Sequence, residues 1–305
     1  MNVSARRGAL YICVAAAAWG TGGAAGNLLF ATADLGPIAV SFWRYLLGAA
    51  LLLTLTRTQG TLSKARSRRP RTASILMIGV GMAAYQAAYF GAIQQTGVAL
   101  ATVVTMGATP VFTALGGRFF LGERLGGTGL IALATALLGL GLLTSGGYGA
   151  VHTGGIALAL LSALGYASVT LASRKHNTDP KGTALGGFAV GALCLLPFAL
   201  AEGITPVITP TTAALLVYLA AVPTALAYGL FFRALTALKA TTVSVISLGE
   251  AVGAAVLGVA VFGERLTPLA VVGGVVLLGS VVVLTSHASK ATPTPQVGRP
   301  TQEAA

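Results

Sequence analysis

The sequence predicts an all-α polytopic membrane protein: ten transmembrane helices arranged as two inverted five-helix repeats. Three observations predict it. Of 305 residues, 55% are apolar types and only 9% are charged, where about 25% charged is usual. The apolar residues gather in ten runs, each close to the ~20 residues with which a helix crosses ~30 Å of hydrocarbon. Finally, Gly122-Glu123-Arg124-Leu125 returns 141 residues later as Gly263-Glu264-Arg265-Leu266.

The composition excludes other classes first. A mean hydropathy of +0.84 is more apolar side chain than a soluble domain can hide, so an ordinary soluble enzyme and a disordered chain are both excluded. A membrane β-barrel would alternate over segments of about ten residues, half the length of the runs here. The net charge of +12 and pI near 10.3 invite a nucleic-acid reading, but the basic residues do not gather on one soluble face, and no nucleic-acid partner is expected. Cys13 and Cys194 lie singly inside apolar runs and read as small buried apolar residues.

The runs fall at 8–30, 37–56, 73–94, 98–121 and 127–145, then at 154–174, 183–201, 211–235, 240–262 and 267–286. Residues 1–7 precede them, and a polar tail with Pro293, Pro295 and Pro300 follows over 287–305. That tail is expected to be disordered. The first run follows Arg6-Arg7 and precedes Ala31-Thr32-Ala33, which suggests a cleaved signal. At about 22 residues it is too long for a signal core of 7–15, so a retained helix is expected. Pro110, Pro197 and Pro223 fall inside runs 4, 7 and 8 and are expected to kink them. Runs 5 and 10 are free of charge; they belong at the periphery, where a homodimer contact would form.

Charge then orients the chain. The connection over 57–71 carries Arg57, Lys64, Arg66, Arg68, Arg69 and Arg71 and is cytoplasmic by the positive-inside rule. Alternating from there places seventeen basic residues inside and one, Arg265, outside, with Arg44 left within a span. Both termini are then cytoplasmic.

The repeat extends well past four residues. The same shift pairs Phe90 with Phe231, Ala99 with Ala240, Val104 with Val245 and Val111 with Val252. Ala114 then pairs with Ala255 and Gly117 with Gly258. Five spans per repeat is an odd number, so the halves, 8–145 and 154–286, enter the membrane in opposite directions. Such inverted halves suit alternating access around a site near the midplane; the other reading is a duplicated scaffold that transports nothing.

These residues resemble a known family. Trp19-Gly20, Phe42-Trp43-Arg44-Tyr45, Pro110-Val111-Phe112 with Leu121-Gly122-Glu123-Arg124, and Glu250 with Gly263-Glu264-Arg265-Leu266 are similar to the ten-helix EamA members of the drug/metabolite transporter superfamily. The likeness spans residues 8–286. It implies a bacterial inner-membrane exporter of amino acids or related small metabolites, with no cofactor. The chain departs from the family where Ala251 follows Glu250, since second halves of the family often carry proline there; that puts a kink at this point in question.

Two ionisable residues lie within spans. Glu250 is about ten residues into run 9, near 15 Å deep. It is a candidate for binding a proton or a substrate amine, against a structural carboxyl bonded across the bundle. Arg44 lies about 10 Å into run 2. Its depth is within snorkelling reach, which favours the interface or helix packing; holding a substrate carboxylate or pairing with Glu250 are the other readings. On run 3, Met82, Tyr85, Gln86, Tyr89 and Ile93 share one face by their spacing of three and four. With Trp19 and Asn27, Tyr166 and Thr170, Thr224 and Tyr228, and Ser244 and Ser247, they outline a central substrate cavity, although any single one serves helix packing as readily. Trp43, Tyr11, Tyr148 and Tyr218 read as interface anchors.

No His, Asp and Glu cluster has metal-ligand spacing, and no phosphate-binding GxxxxGK[ST] loop occurs, so no metal and no ATP are expected. The expected function is secondary active export of a small amphipathic metabolite, with proton coupling through Glu250. A passive facilitator is the alternative, and an intramembrane enzyme on lipids or peptides is the more distant one, since the spans hold only one acid and one deep base for it.

Overall fold

The computed structural model describes residues 3–58, 72–144, 153–176, 179–262 and 267–290. All its regular elements in that range are helices: α1 (Ala5–Ala33), α2 (Pro37–Thr58), α3 (Thr72–Leu121), α4 (Gly127–Leu143), α5 (Thr153–His176), α6 (Pro180–Glu202), α7 (Pro210–Ala220), a π-helical turn (Ala221–Leu226), α8 (Ala227–Ala237), α9 (Ala240–Ser247), α10 (Gly249–Phe262) and α11 (Pro268–Lys290). Among the described residues eight segments are long and apolar enough to cross a membrane, and α4 is a shorter apolar helix. Large apolar side chains such as Phe119, Ile131, Leu193, Phe198, Val275 and Val282 are exposed on the outside of the bundle, the surface that lipid covers. The protein is an all-α polytopic membrane protein.

α3 contains two spans. It runs fifty residues, yet the Tyr89 hydroxyl bonds that of Thr102 at 2.7 Å. In a straight helix thirteen residues advance ~20 Å, beyond the joint reach of those side chains, so the chain doubles back between them. α5 records both limbs: Ser162 donates to Tyr85 O at 2.8 Å, and Ala159 O accepts from Thr105 at 3.1 Å. Counting the limbs separately gives ten rods, close to the ten predicted runs.

The ends of the rods gather in two groups. At one end Gly8 of α1 lies against Ala237 and Leu238, and Arg174 at the end of α5 reaches Leu235 O at 2.8 Å. At the other end Ala33 O accepts from Val207 at 3.0 Å, and Glu202 caps α2 through Ala39 N at 2.7 Å. α1 therefore starts where α5 finishes. The first rods of the two halves run antiparallel, the arrangement an odd-numbered repeat demands.

Several local expectations change. The helices continue through Pro110 and Pro197, while Pro223 sits in a π-turn. Run 9 breaks without proline. At Leu248 the ladder switches to i−3 bonds, Leu248 N to Val245 O and Ala251 N to Leu248 O, tightening the turn before Glu250. The tail begins later than predicted, because α11 continues to Lys290. The remainder of the tail, Glu264, Arg265, Tyr148 and the basic residues from Lys64 to Arg71 lie outside the described residues.

α4 and α11 pack through glycine. A Cβ on Gly139 would stand 2.6 Å from Leu277 N and 2.8 Å from Gly273 O, so the two backbones touch. Gly139→Ala is expected to destabilise by about 1–3 kcal/mol, read as a lower melting temperature in detergent. Gly141→Ala, where a Cβ meets nothing within 4 Å, is the matched control and should melt no earlier than the wild type.

Candidate functional site

A cavity of about 260 Å³ lies between α1, α2, both limbs of α3, α5, the α7–α8 rod, and α9–α10. That is smaller than the 300–1,000 Å³ typical of sites for drug-sized ligands, and suits a solute of amino-acid size. The lining includes Trp19, Arg44, Tyr85, Gln86, Tyr89, Tyr166, Tyr228, Ser244, Ser247 and Glu250, drawn from both halves.

Close helix crossings place these groups. A Cβ on Gly20 would come 3.0 Å from Glu250 O, so α1 and α10 meet backbone to backbone, and Trp19 and Glu250 share a wall. Trp19 stands edge-on to Tyr228 at 5.1 Å and to Phe231 at 5.5 Å. Tyr85 meets Tyr166 edge-on at 5.3 Å, and Tyr166 lies 6.0 Å from Phe231. These rings form an aromatic floor. Phe231 within this floor, and Phe232 and Leu235 next to it along α8, are fully buried.

A chain of hydroxyls crosses the floor. Tyr45 bonds Tyr85 at 3.2 Å, and Tyr85 bonds Tyr228. Gln86 donates to Ser41 at 3.1 Å, and Ser41 donates to Pro37 O at 2.9 Å.

Arg44 does not snorkel. Its Nε donates to Thr224 Oγ1 at 3.2 Å and its Nη2 to Pro223 O at 3.4 Å, which turns the guanidinium inward against the π-turn. Depth along a helix gives no azimuth, and the azimuth decides here. Nor does Arg44 pair with Glu250: among the described residues the one ion pair is Arg174–Glu123, at 2.9 Å. The cavity thus holds a guanidinium and a carboxyl group that make no direct ion pair.

Some predicted residues lie elsewhere. Thr224 is fully buried behind Arg44 and is absent from the lining. Thr170 is buried and spends its hydroxyl on Tyr166 O at 2.8 Å. Met82 is buried against Gly187 of α6. The side chain of Asn27 lies outside the described residues. Conversely, Ser41, Thr105, Thr109 and Ser162 line the cavity and were not predicted. Thr109 had a signal, since it precedes Glu250 by the repeat's own 141 residues. Ser41 lies three residues before Arg44, on the same helix face.

The end where Gly8 and Arg174 lie also carries Arg118, Arg124, Lys175, Arg233 and Lys239 and is the basic end; polar contacts tie its helices together below the floor. Thr113 meets Ser244 at 3.5 Å. Glu123 then joins four elements: Oε1 accepts from Arg174 Nε at 2.9 Å, and Oε2 caps α9 through Ala240 N at 2.9 Å. Lys239 Nζ donates to Arg124 O at 2.9 Å. In the other direction the lining reaches Phe30, Pro37 and Ile93, towards the end where Ala33 and Glu202 lie.

Comparison with known proteins decides the family. The model of the EamA-like transporter family matches residues 6–145 and, a second time, 153–286. The chain belongs to the EamA-like transporter family. Among relatives, it is 29% identical over 278 residues to an uncharacterized transporter, YwfM, of Bacillus subtilis, covering 90% of this chain and 92% of that protein. It is 24% identical over 293 residues to an uncharacterized inner membrane transporter, YicL, of Salmonella typhimurium, covering 92% and 96%. A solved crystal structure superposes with a TM-score of 0.78 at 22% identity, covering 92% of this chain and 97% of that one; that likeness concerns the fold. This EamA-like chain is thus a multi-pass membrane protein of a transporter family.

Proposed function

We propose that this EamA-like protein is a secondary active exporter of a small zwitterionic, amphipathic metabolite, an amino acid or a close relative, across a bacterial inner membrane. One observation carries the reading: Arg44 and Glu250 line the same cavity of about 260 Å³, together with the rings of Trp19, Tyr85, Tyr166 and Tyr228, and make no direct ion pair. Two unpaired opposite charges in a low-dielectric site are costly alone and favourable once a ligand brings the complementary pair. A carboxylate would take the guanidinium fork, an ammonium would take Glu250, and an apolar side chain would lie on Trp19, Tyr166 and Tyr228.

Alternating access fits the rest. Excess basic residues mark the cytoplasmic face, so the described state is sealed towards the cytoplasm by Phe231, Phe232 and the Glu123 cluster, and its cavity faces outward. The opposite state would follow from exchanging the conformations of the two antiparallel halves. Glu250 is the coupling group: it holds either a proton or the substrate ammonium, so one leaves as the other arrives.

Counterflow in proteoliposomes tests the substrate class. Vesicles preloaded with an unlabelled candidate should take up the same radiolabelled compound against its gradient. Zwitterionic amino acids should exchange, and their decarboxylated amines and N-acetylated forms should exchange at least about tenfold more slowly. Equal exchange of all three would remove the zwitterion reading; exchange with no accumulation under an imposed pH gradient would make the protein a facilitator.

A further inference from the structure

The α7–α8 rod is interrupted beside the cavity, and the interruption has a chemical cause. Pro223 has no N–H, so Leu219 O, its partner in an α-helix, is released. The helix widens into the π-turn Ala221–Leu226, and Thr224 donates its hydroxyl to Leu219 O at 2.7 Å. With that proton committed, the Thr224 oxygen can only accept, and it accepts from Arg44 Nε at 3.2 Å. Pro223 O accepts from Arg44 Nη2 at 3.4 Å. π-turns of one turn's length cluster at functional sites.

The neighbouring helices are shaped to receive the turn. On α2, one turn past Arg44, a Cβ on Gly48 would stand 2.8 Å from Thr224 Cγ2. On α1, a Cβ on Gly22 would stand 3.1 Å from Pro223 Cβ. Both glycines let α1 and α2 pack close against the π-turn that bonds Arg44. A guanidinium has five N–H donors; two are engaged at its back, and three remain for the cavity it lines.

We propose that the π-turn is an arginine cradle and that Thr224 is a positioning residue: it fixes Arg44 from behind so that the free edge of the guanidinium selects solutes carrying a carboxylate. The inference rests on the zwitterion reading and deepens it by naming what sets the selectivity. Without the Thr224 acceptor the cation stays in the cavity, but its fork swings, and bidentate recognition weakens while the ammonium and ring contacts persist.

The test is equilibrium binding to the full-length protein in nanodiscs with two probes, L-phenylalanine and L-phenylalaninamide, which share ring and ammonium and differ in the carboxylate. The wild type should prefer the acid. Thr224→Val should weaken the acid about tenfold and leave the amide within about twofold; Thr224→Ser, which keeps the hydroxyl, should restore the acid. Thr224→Val weakening both probes alike, or neither, would overturn the cradle while the wild-type preference for the acid left the zwitterion reading standing. A wild type that binds neither probe, or both equally, would sink the zwitterion reading and the cradle with it.

Discussion

Glu250→Gln is expected to abolish pH-gradient-driven accumulation in proteoliposomes, by about two orders of magnitude or more, with the protein still folded. The size follows from the setting. Glu250 lines the cavity and makes no ion pair among the described residues, so a solute in the cavity can reach it. Glutamine keeps the volume but can neither exchange a proton nor offset an ammonium, and losing one partner of a desolvated pair costs about 3–5 kcal/mol, or about two to three and a half decades. The melting temperature should hardly move, since no ion pair among the described residues is lost. Gradient-free exchange separates the two jobs of the carboxylate: if it only carries protons, exchange survives; if it also holds the ammonium, exchange falls too. Coupled flux at the wild-type rate in this variant would take Glu250 out of the mechanism.

Much of the fold was legible because periodicity and charge are one-dimensional signals. Run boundaries follow from where apolar residues stop, and the repeat of Gly-Glu-Arg-Leu follows from the order of letters alone; α1 and α5 do start at opposite ends. What stayed hidden is azimuthal or depends on partners. Arg44 is at snorkelling depth, but its direction is set by acceptors on another helix, Thr224 and Pro223. Thr224 and Thr170 share a residue type with Thr105 and Thr109, and only packing decides which of them faces the cavity. Pro223 announced a break; that the break is a π-turn, with the Thr224 hydroxyl on Leu219 O, was not legible from the proline alone. The break at Leu248 has no proline and no sequence signal that we can name.

Releasing the Glu123 cluster is expected to open the basic end. Glu123 is the acceptor on which four elements converge: it ends α3, takes Arg174 of α5, caps α9 at Ala240, and through Arg174 reaches Leu235 O of α8. Its side chain is only 13% exposed, so these charge-assisted bonds are strong. In Glu123→Gln one oxygen becomes an NH2, and whichever donor it faces, Arg174 Nε or Ala240 N, loses its acceptor. The state with a closed basic end then loses stability relative to the state open there, and each 1.4 kcal/mol shifts the ratio tenfold. Ser244 reports the change, because it lines the cavity and sits behind the Thr113 contact. With Cys13 and Cys194 replaced by alanine, Ser244→Cys should be labelled from the basic side by a membrane-impermeant maleimide about tenfold faster in the Glu123→Gln background, and more slowly from the opposite side. Arg174→Lys, which keeps the charge but not the bond geometry, should fall between. Unchanged labelling from the basic side, or faster labelling from both sides alike, would mean that Glu123 holds the fold together without gating it.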